Sequence, residues 1–254
     1  MLPVLQIGPL VVQTSLLLAL IGFWLGLEFS SRAARRQPDI PRGFVDSAVF
    51  RALLLGLVVA RLVYAAGSIE AYLNDPLALI SPLPATMNGP AGLAAAIATI
   101  AWLAHRRRVP LRPLLDALAP GIGVLLAVLA LGDLTNGTAL GTPTDLPWAV
   151  TLWDVPRHPV QLYLAVPTLS LALWSLQGGE RPFAGFDFLV VTGGYALILL
   201  ISGIWREPGV VIAGGFRQEQ FIAWAALLLL TLVGARWAMQ DSPSSNVQLE
   251  KEHT

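Results

Sequence analysis

Residues 141–164 read GTPTDLPWAVTLWDVPRHPVQLYL. Two aspartates, two tryptophans, Arg157 and His158 share this one stretch, which runs directly into a strongly apolar segment. A helix starting after Arg157 and His158 brings unpaired N–H groups, the positive end of a helix dipole and a guanidinium together, and that combination suits an anion. His158 can also serve as a proton acceptor near neutral pH. A helix cap with an interfacial anchor is the plainer reading of the same residues. Gln161 and Tyr163 carry polar groups onward into the apolar segment, which favours a site.

Other polar residues sit at depths where they are costly. Arg61, in VVARLVY, lies about a turn and a half inside an apolar run. It either snorkels to lipid headgroups or binds a phosphate or carboxylate within a helix bundle. Asp133, in LGDLTNGTALG, is expected to pair with an arginine or to be neutral. Asn136 and Gly137 are a turn signal, and Gly141 closes that segment. Arg206, in WREPG, is a candidate phosphate ligand or a plain interfacial charge. Tyr195 follows a glycine pair in the middle of a run, where its hydroxyl needs a partner or the ring simply packs. Asn88 before Gly89-Pro90 reads as a helix cap.

The elements that must position these residues follow from composition. The chain has 254 residues, 55% hydrophobic and 13% charged, and its formal net charge is zero. Soluble domains carry roughly 25% charged residues, so much of this surface is expected to face lipid. There is no cysteine, which excludes disulfides, thiolate metal sites and a cysteine nucleophile. No basic patch suggests nucleic acid, and neither a metal nor a cofactor is implied.

Seven windows are apolar enough, at about 20 residues each, to cross a bilayer as helices. They are Pro9–Leu27, Asp46–Ala66, Met87–Leu103, Leu114–Leu131, Pro159–Leu176, Phe186–Ile204 and Phe221–Trp237. The fold class is therefore an all-α polytopic membrane protein. A seven-helix domain over residues 1–238 precedes a polar tail, 239–254, expected to be disordered. No basic residue precedes the first run and SRAARR follows it, which reads as a retained helix rather than a signal peptide. Arginines cluster in alternate connections, at 32–42, 106–112, 181 and 236, so the N-terminus is expected outside and the C-terminus in the cytoplasm. The stretch 141–164 then lies on the outer face, with Trp148, Trp153 and Trp205 as an interfacial belt. The APGIG stretch, Ala119–Gly123, is expected to loosen or kink its helix.

The motif GTPTDLPWAV followed by RHPVQLYL resembles the bacterial prolipoprotein diacylglyceryl transferases, whose pattern runs G-R-P-T-D-L-P-W-G-V and then R-H-P-S-Q-L-Y-E. IGPLVV, ARLVY, LLDALAPG, REP and Gln220 fall in the family's order, so the likeness spans nearly the whole chain. The resemblance implies transfer of diacylglyceryl from phosphatidylglycerol to the lipobox cysteine thiol of a prolipoprotein, in the inner (plasma) membrane of a bacterium. The partners it implies are phosphatidylglycerol, prolipoprotein signal peptides and membrane lipid. On that reading Arg61, Arg157 and Arg206 hold the phosphate, and Asn136, Gly141, Gln161 and Tyr163 complete the lipid site. His158 or Asp133 takes the thiol proton, and Tyr195 is the remaining catalytic candidate.

The family's signature G-R-x-G-N-F-x-N-x-E-x-x-G is only partly kept. Leu129 to Gly141 read LALGDLTNGTALG, which retains Gly132, Asn136 and Gly141. Ala130 stands for the arginine, Asp133 for the first asparagine and Thr138 for the glutamate. Asn88 replaces a histidine, Ser15 a tyrosine, Leu199 an arginine and Leu164 the glutamate that closes the second motif. A catalytically degenerate member that binds phospholipid is the alternative this leaves open.

Overall fold

The computed structural model describes residues 4–7, 10–75, 77, 86–207 and 217–241. Helices dominate, in the order α1 (Thr14–Ala34), α2 (Phe44–Ala66), α3 (Ile69–Asn74), α4 (Gly89–Arg107), α5 (Leu111–Asn136), α6 (Val160–Ser175), α7 (Phe186–Ser202) and α8 (Gln218–Gln240). A single 3-10 turn, Gly203–Trp205, extends α7. Each of the expected apolar windows overlaps a helix. Five helices are long and apolar enough to cross a membrane, namely α1, α2, α5, α7 with its 3-10 extension, and α8. α6 is apolar but shorter. α4, at 19 residues, is long enough, but its basic end His105-Arg106-Arg107 and its Gly, Pro and Thr lower its mean hydropathy. This is a multi-pass membrane protein by the length and composition of its helices.

Strands supplement the helices in two antiparallel hairpins. β1 (Val4–Ile7) pairs with β2 (Leu10–Gln13), with Val4 opposite Gln13. β3 (Val150–Leu152) pairs with β4 (Val155–Arg157), with Val150 opposite Arg157. The first hairpin corrects the expected window Pro9–Leu27, because α1 begins only at Thr14. Leu10, Val11 and Val12 are apolar and β-compatible, so hydropathy alone merged a strand with the helix after it. Most of the expected tail, 242–254, lies outside the described residues, as does Pro208 of REP.

The elements pack as two groups, residues 38–111 and residues 1–37 with 112–254. In the larger group α5 is the core helix, with 61% of its apolar window buried against 6% for α8. Its face is made of small residues, which let helix backbones approach closely. A Cβ on Gly121 would collide with the Ser30 hydroxyl and the Gly26 carbonyl of α1. One on Gly123 would lie 2.8 Å from the Ala172 Cβ of α6. The expected loosening at APGIG therefore takes a different form: α5 is assigned as helix through Pro120, and the stretch is its closest packing point. In the smaller group α2 and α4 meet through Gly56 and Gly92, where a Cβ on either would lie 2.9 Å from the other's carbonyl oxygen. α8 turns Trp224, Leu228, Leu229 and Leu232 outward, all more than half exposed. A face of that size and character needs an apolar solvent.

One carboxylate sets where α7 starts. Asp116 of α5 accepts the N–H groups of Gly185 at 2.6 Å and Phe188 at 3.0 Å. Two of the unpaired donors of the first turn are satisfied in this way from a neighbouring helix. Gly185 has φ +96°, and a Cβ there would also strike the Trp237 ring. Nothing in the sequence around Asp116 announced this role.

Candidate functional site

The stretch 141–158 folds over the ends of α5, α6 and α7 as a small β structure. Gly141 bridges to Arg206 and Pro143 to Arg157. Thr142 N–H donates to the Trp205 carbonyl at 2.7 Å, and Glu207 N–H donates to the Leu140 carbonyl at 2.8 Å. His158 N–H donates to the Thr142 carbonyl at 3.1 Å. Gly141 has no room for a side chain, since a Cβ would collide with the His158 carbonyl. Trp153 and Asp154 form the two-residue turn between β3 and β4, at φ 54° and 61°. That left-handed pair matches the twist of a tight hairpin but is strained for residues other than glycine. The Trp153 indole N–H donates to the Gly137 carbonyl at 3.3 Å and helps to hold the turn.

Two neighbouring groups of side chains result. The first is aromatic: His158, Tyr163 and Trp205 lie with ring centroids 5.9–6.1 Å apart. The Trp148 indole donates to the Tyr163 hydroxyl at 2.8 Å, and His158 Nδ1 lies 3.3 Å from the same oxygen. The second lines a cleft formed by Ala130, Asp133, Ala139, Val160, Gln161, Leu164, Leu199, Ser202 and Arg206. Its volume is about 30 Å³, room for a water or two. Gln161 is 2% exposed. Its amide N–H donates to the Thr138 carbonyl at 2.7 Å, and its Oε1 has no partner among the described residues. Tyr195 lies within electrostatic range of Asp133, Arg206 and Glu219.

The cations expected to hold phosphate are already engaged. Arg157 pairs with Glu207 and donates to the Gly141 carbonyl at 3.0 Å, while its buried Nε has no partner among the described residues. Arg206 pairs with Glu219. Arg217 donates to the carbonyls of Gly203, Arg206 and Glu207, tying the end of α7 to the start of α8. Glu207, Glu219 and Arg217 escaped the sequence reading, and only their place in the same short connection pointed to them.

The arginine partner expected for Asp133 is not found among the described residues. Asp133 is exposed and accepts the Thr138 hydroxyl at 3.0 Å. Asn136 ends α5 beside the cleft residues without lining the cleft. Arg61 belongs to the α2–α4 group and is 8% exposed. It donates to the Thr86 carbonyl at 2.7 Å and to the Thr86 hydroxyl, and its guanidinium lies 5.5 Å from the Tyr72 ring. Asn88 caps α4 as expected, accepting from Ala91 N–H at 3.0 Å. Three substituted positions of the resembled pattern, Ala130, Leu164 and Leu199, share the cleft with Asp133, a fourth. Among the described residues no group of three or more His, Asp or Glu is placed to hold a metal ion.

Apolar helices, with a cleft of mixed polarity and an aromatic–histidine cluster at the ends of α5, α6 and α7, define a polytopic membrane protein with a candidate site there. A sequence model of the prolipoprotein diacylglyceryl transferases matches residues 3–236, and the chain belongs to that family. It is 32% identical to the phosphatidylglycerol–prolipoprotein diacylglyceryl transferase of Geobacter sulfurreducens over 225 residues, 84% of this chain and 86% of the relative. It is 28% identical to the enzyme of that name from Synechococcus elongatus over 258 residues, covering 93% and 89%. For the one from Photobacterium profundum the identity is 27% over 256 residues, 94% of each.

Proposed function

We propose that this chain is a phosphatidylglycerol–prolipoprotein diacylglyceryl transferase of the bacterial inner membrane, with seven spans, the N-terminus outside and the C-terminus in the cytoplasm. Residues 1–238 form the membrane domain, and 239–254 are a cytoplasmic tail. The carrying observation is the family match along residues 3–236. The substrate thiol attacks the glycerol carbon of the lipid, an S–C bond forms, the C–O bond to phosphate breaks, and glycerol phosphate leaves. The thiol proton needs an acceptor, and the departing phosphate needs cations. His158, oriented by Tyr163, or Asp133 at the cleft accepts the proton. Arg157, with its spare Nε, and Arg206 meet the phosphate, supported by Gln161, Asn136 and Gly141. Arg61 serves the lipid from the α2–α4 group, and Tyr195 completes the polar wall.

A second reading is favoured by one observation: apolar Ala130, Leu164 and Leu199 line the cleft, and both nearby arginines carry a glutamate. That reading is a family member that binds phospholipid without transferring it. Complementation of a strain depleted of its own diacylglyceryl transferase, with a gel shift of a model prolipoprotein, separates the two. Growth and thioether formation support the transferase. Failure of both, with phospholipid still retained by the purified chain, supports the binding protein.

A further inference from the structure

A second cleft lies at the opposite end of α2 from Arg61, lined by Pro41, Arg42, Gly43, Phe44, Ser47, Arg51, Leu103 and Arg107. Its volume is about 130 Å³, against about 30 Å³ for the cleft at Asp133. Three arginines and no carboxylate line it. Asp46 sits in the first turn of α2 and Asp39 precedes that helix, both outside the lining. Arg42, Arg51 and Arg107 make no hydrogen bond or ion pair with any described residue. The first turn of α2 opens beside them, with Gly43 at φ 73° as an N-cap that supplies no side-chain acceptor. Three guanidinium groups around a helix N-terminus form a strong site for a phosphate oxyanion.

We infer that this cleft binds the phosphate headgroup of an anionic phospholipid. The choice of lipid over free phosphate comes from α2 itself. Beyond Arg51 the same helical face continues through Leu54, Leu55, Val58 and Leu62, which are 49, 47, 53 and 55% exposed. These positions follow Arg51 at helical spacing, so an acyl chain has an apolar track leading away from the arginines. Basic pockets between membrane helices recognise anionic headgroups in this manner. The site is independent of catalysis, and its occupant has no transfer to undergo. It would anchor the α2–α4 group to its leaflet.

The test uses the full chain in detergent, titrated with dioleoyl phosphatidic acid and read by native mass spectrometry. Wild type should retain one lipid that the Arg42→Gln/Arg51→Gln/Arg107→Gln variant binds about tenfold more weakly. The Arg157→Gln/Arg206→Gln variant should keep that lipid, whatever the outcome of complementation. Phosphatidylcholine should not replace it. If the triple variant is not helical by circular dichroism, single Arg51→Gln and Arg107→Gln chains should each weaken binding severalfold. Equal retention by wild type and these variants overturns the site. Displacement by millimolar inorganic phosphate alone overturns its assignment to lipid.

Discussion

The two arginine groups of this protein differ in what already neutralises them. Beside the 141–158 stretch Arg157 and Arg206 each hold a glutamate, and the cleft next to them has room for little more than water. Arg42, Arg51 and Arg107 surround a larger cleft without any carboxylate in its lining. Cations satisfied from within the chain are poised, since a ligand must displace or join an existing pair before it gains them. Cations left without a partner are a standing site. A membrane enzyme needs the first kind where its substrate turns over and the second where a lipid only has to stay.

That contrast can be broken in order of effect. The largest change is expected from Arg157→Ala and His158→Ala. Under the transferase reading each should lower prolipoprotein modification about a hundredfold or more, scored by gel shift. Unchanged modification in both would remove the 141–158 stretch from the chemistry. Next, Gly141→Ala forces a Cβ onto the His158 carbonyl, which is backbone and has no cheap retreat. It should destabilise the fold by about 2–4 kcal/mol, seen as a lower unfolding temperature in detergent together with lost modification. The smallest effect belongs to Glu219→Gln, which releases Arg206. The pair is partly exposed, at 27% and 46%, so it contributes about 1 kcal/mol at most. Retention of phosphatidylglycerol should tighten by no more than about fivefold. A weaker hold would mean that Glu219 supports the lipid site instead of masking it.

Much of the scaffold was legible because hydropathy over 20 residues is a strong signal, and every window found its helix. The β1–β2 hairpin was not, since Leu10, Val11 and Val12 continue the apolar run without a break. The β3–β4 hairpin was hidden for another reason: its turn is Trp153-Asp154, without the glycine or asparagine that usually marks such a reversal. Within the site, His158, Tyr163, Gln161 and Arg206 could be named from their types and neighbours. Their electrostatic state could not, because the partner of Arg157 lies 50 residues away. The partner of Asp133 was not legible either: an arginine was one expectation, and the hydroxyl of Thr138 five residues on is what it accepts.

The Asp116 carboxylate has a mechanical consequence. It holds α7 at its first turn, while the other end runs into a 3-10 turn tied to Arg217 through the Gly203 carbonyl and to Thr142 through the Trp205 carbonyl. Leu199 and Ser202, at the far tip, form one wall of the narrow cleft. Moving that tip to widen the cleft would have to break the ties of Gly203 to Arg217 and of Trp205 to Thr142, while Asp116 kept the first turn of α7 in place.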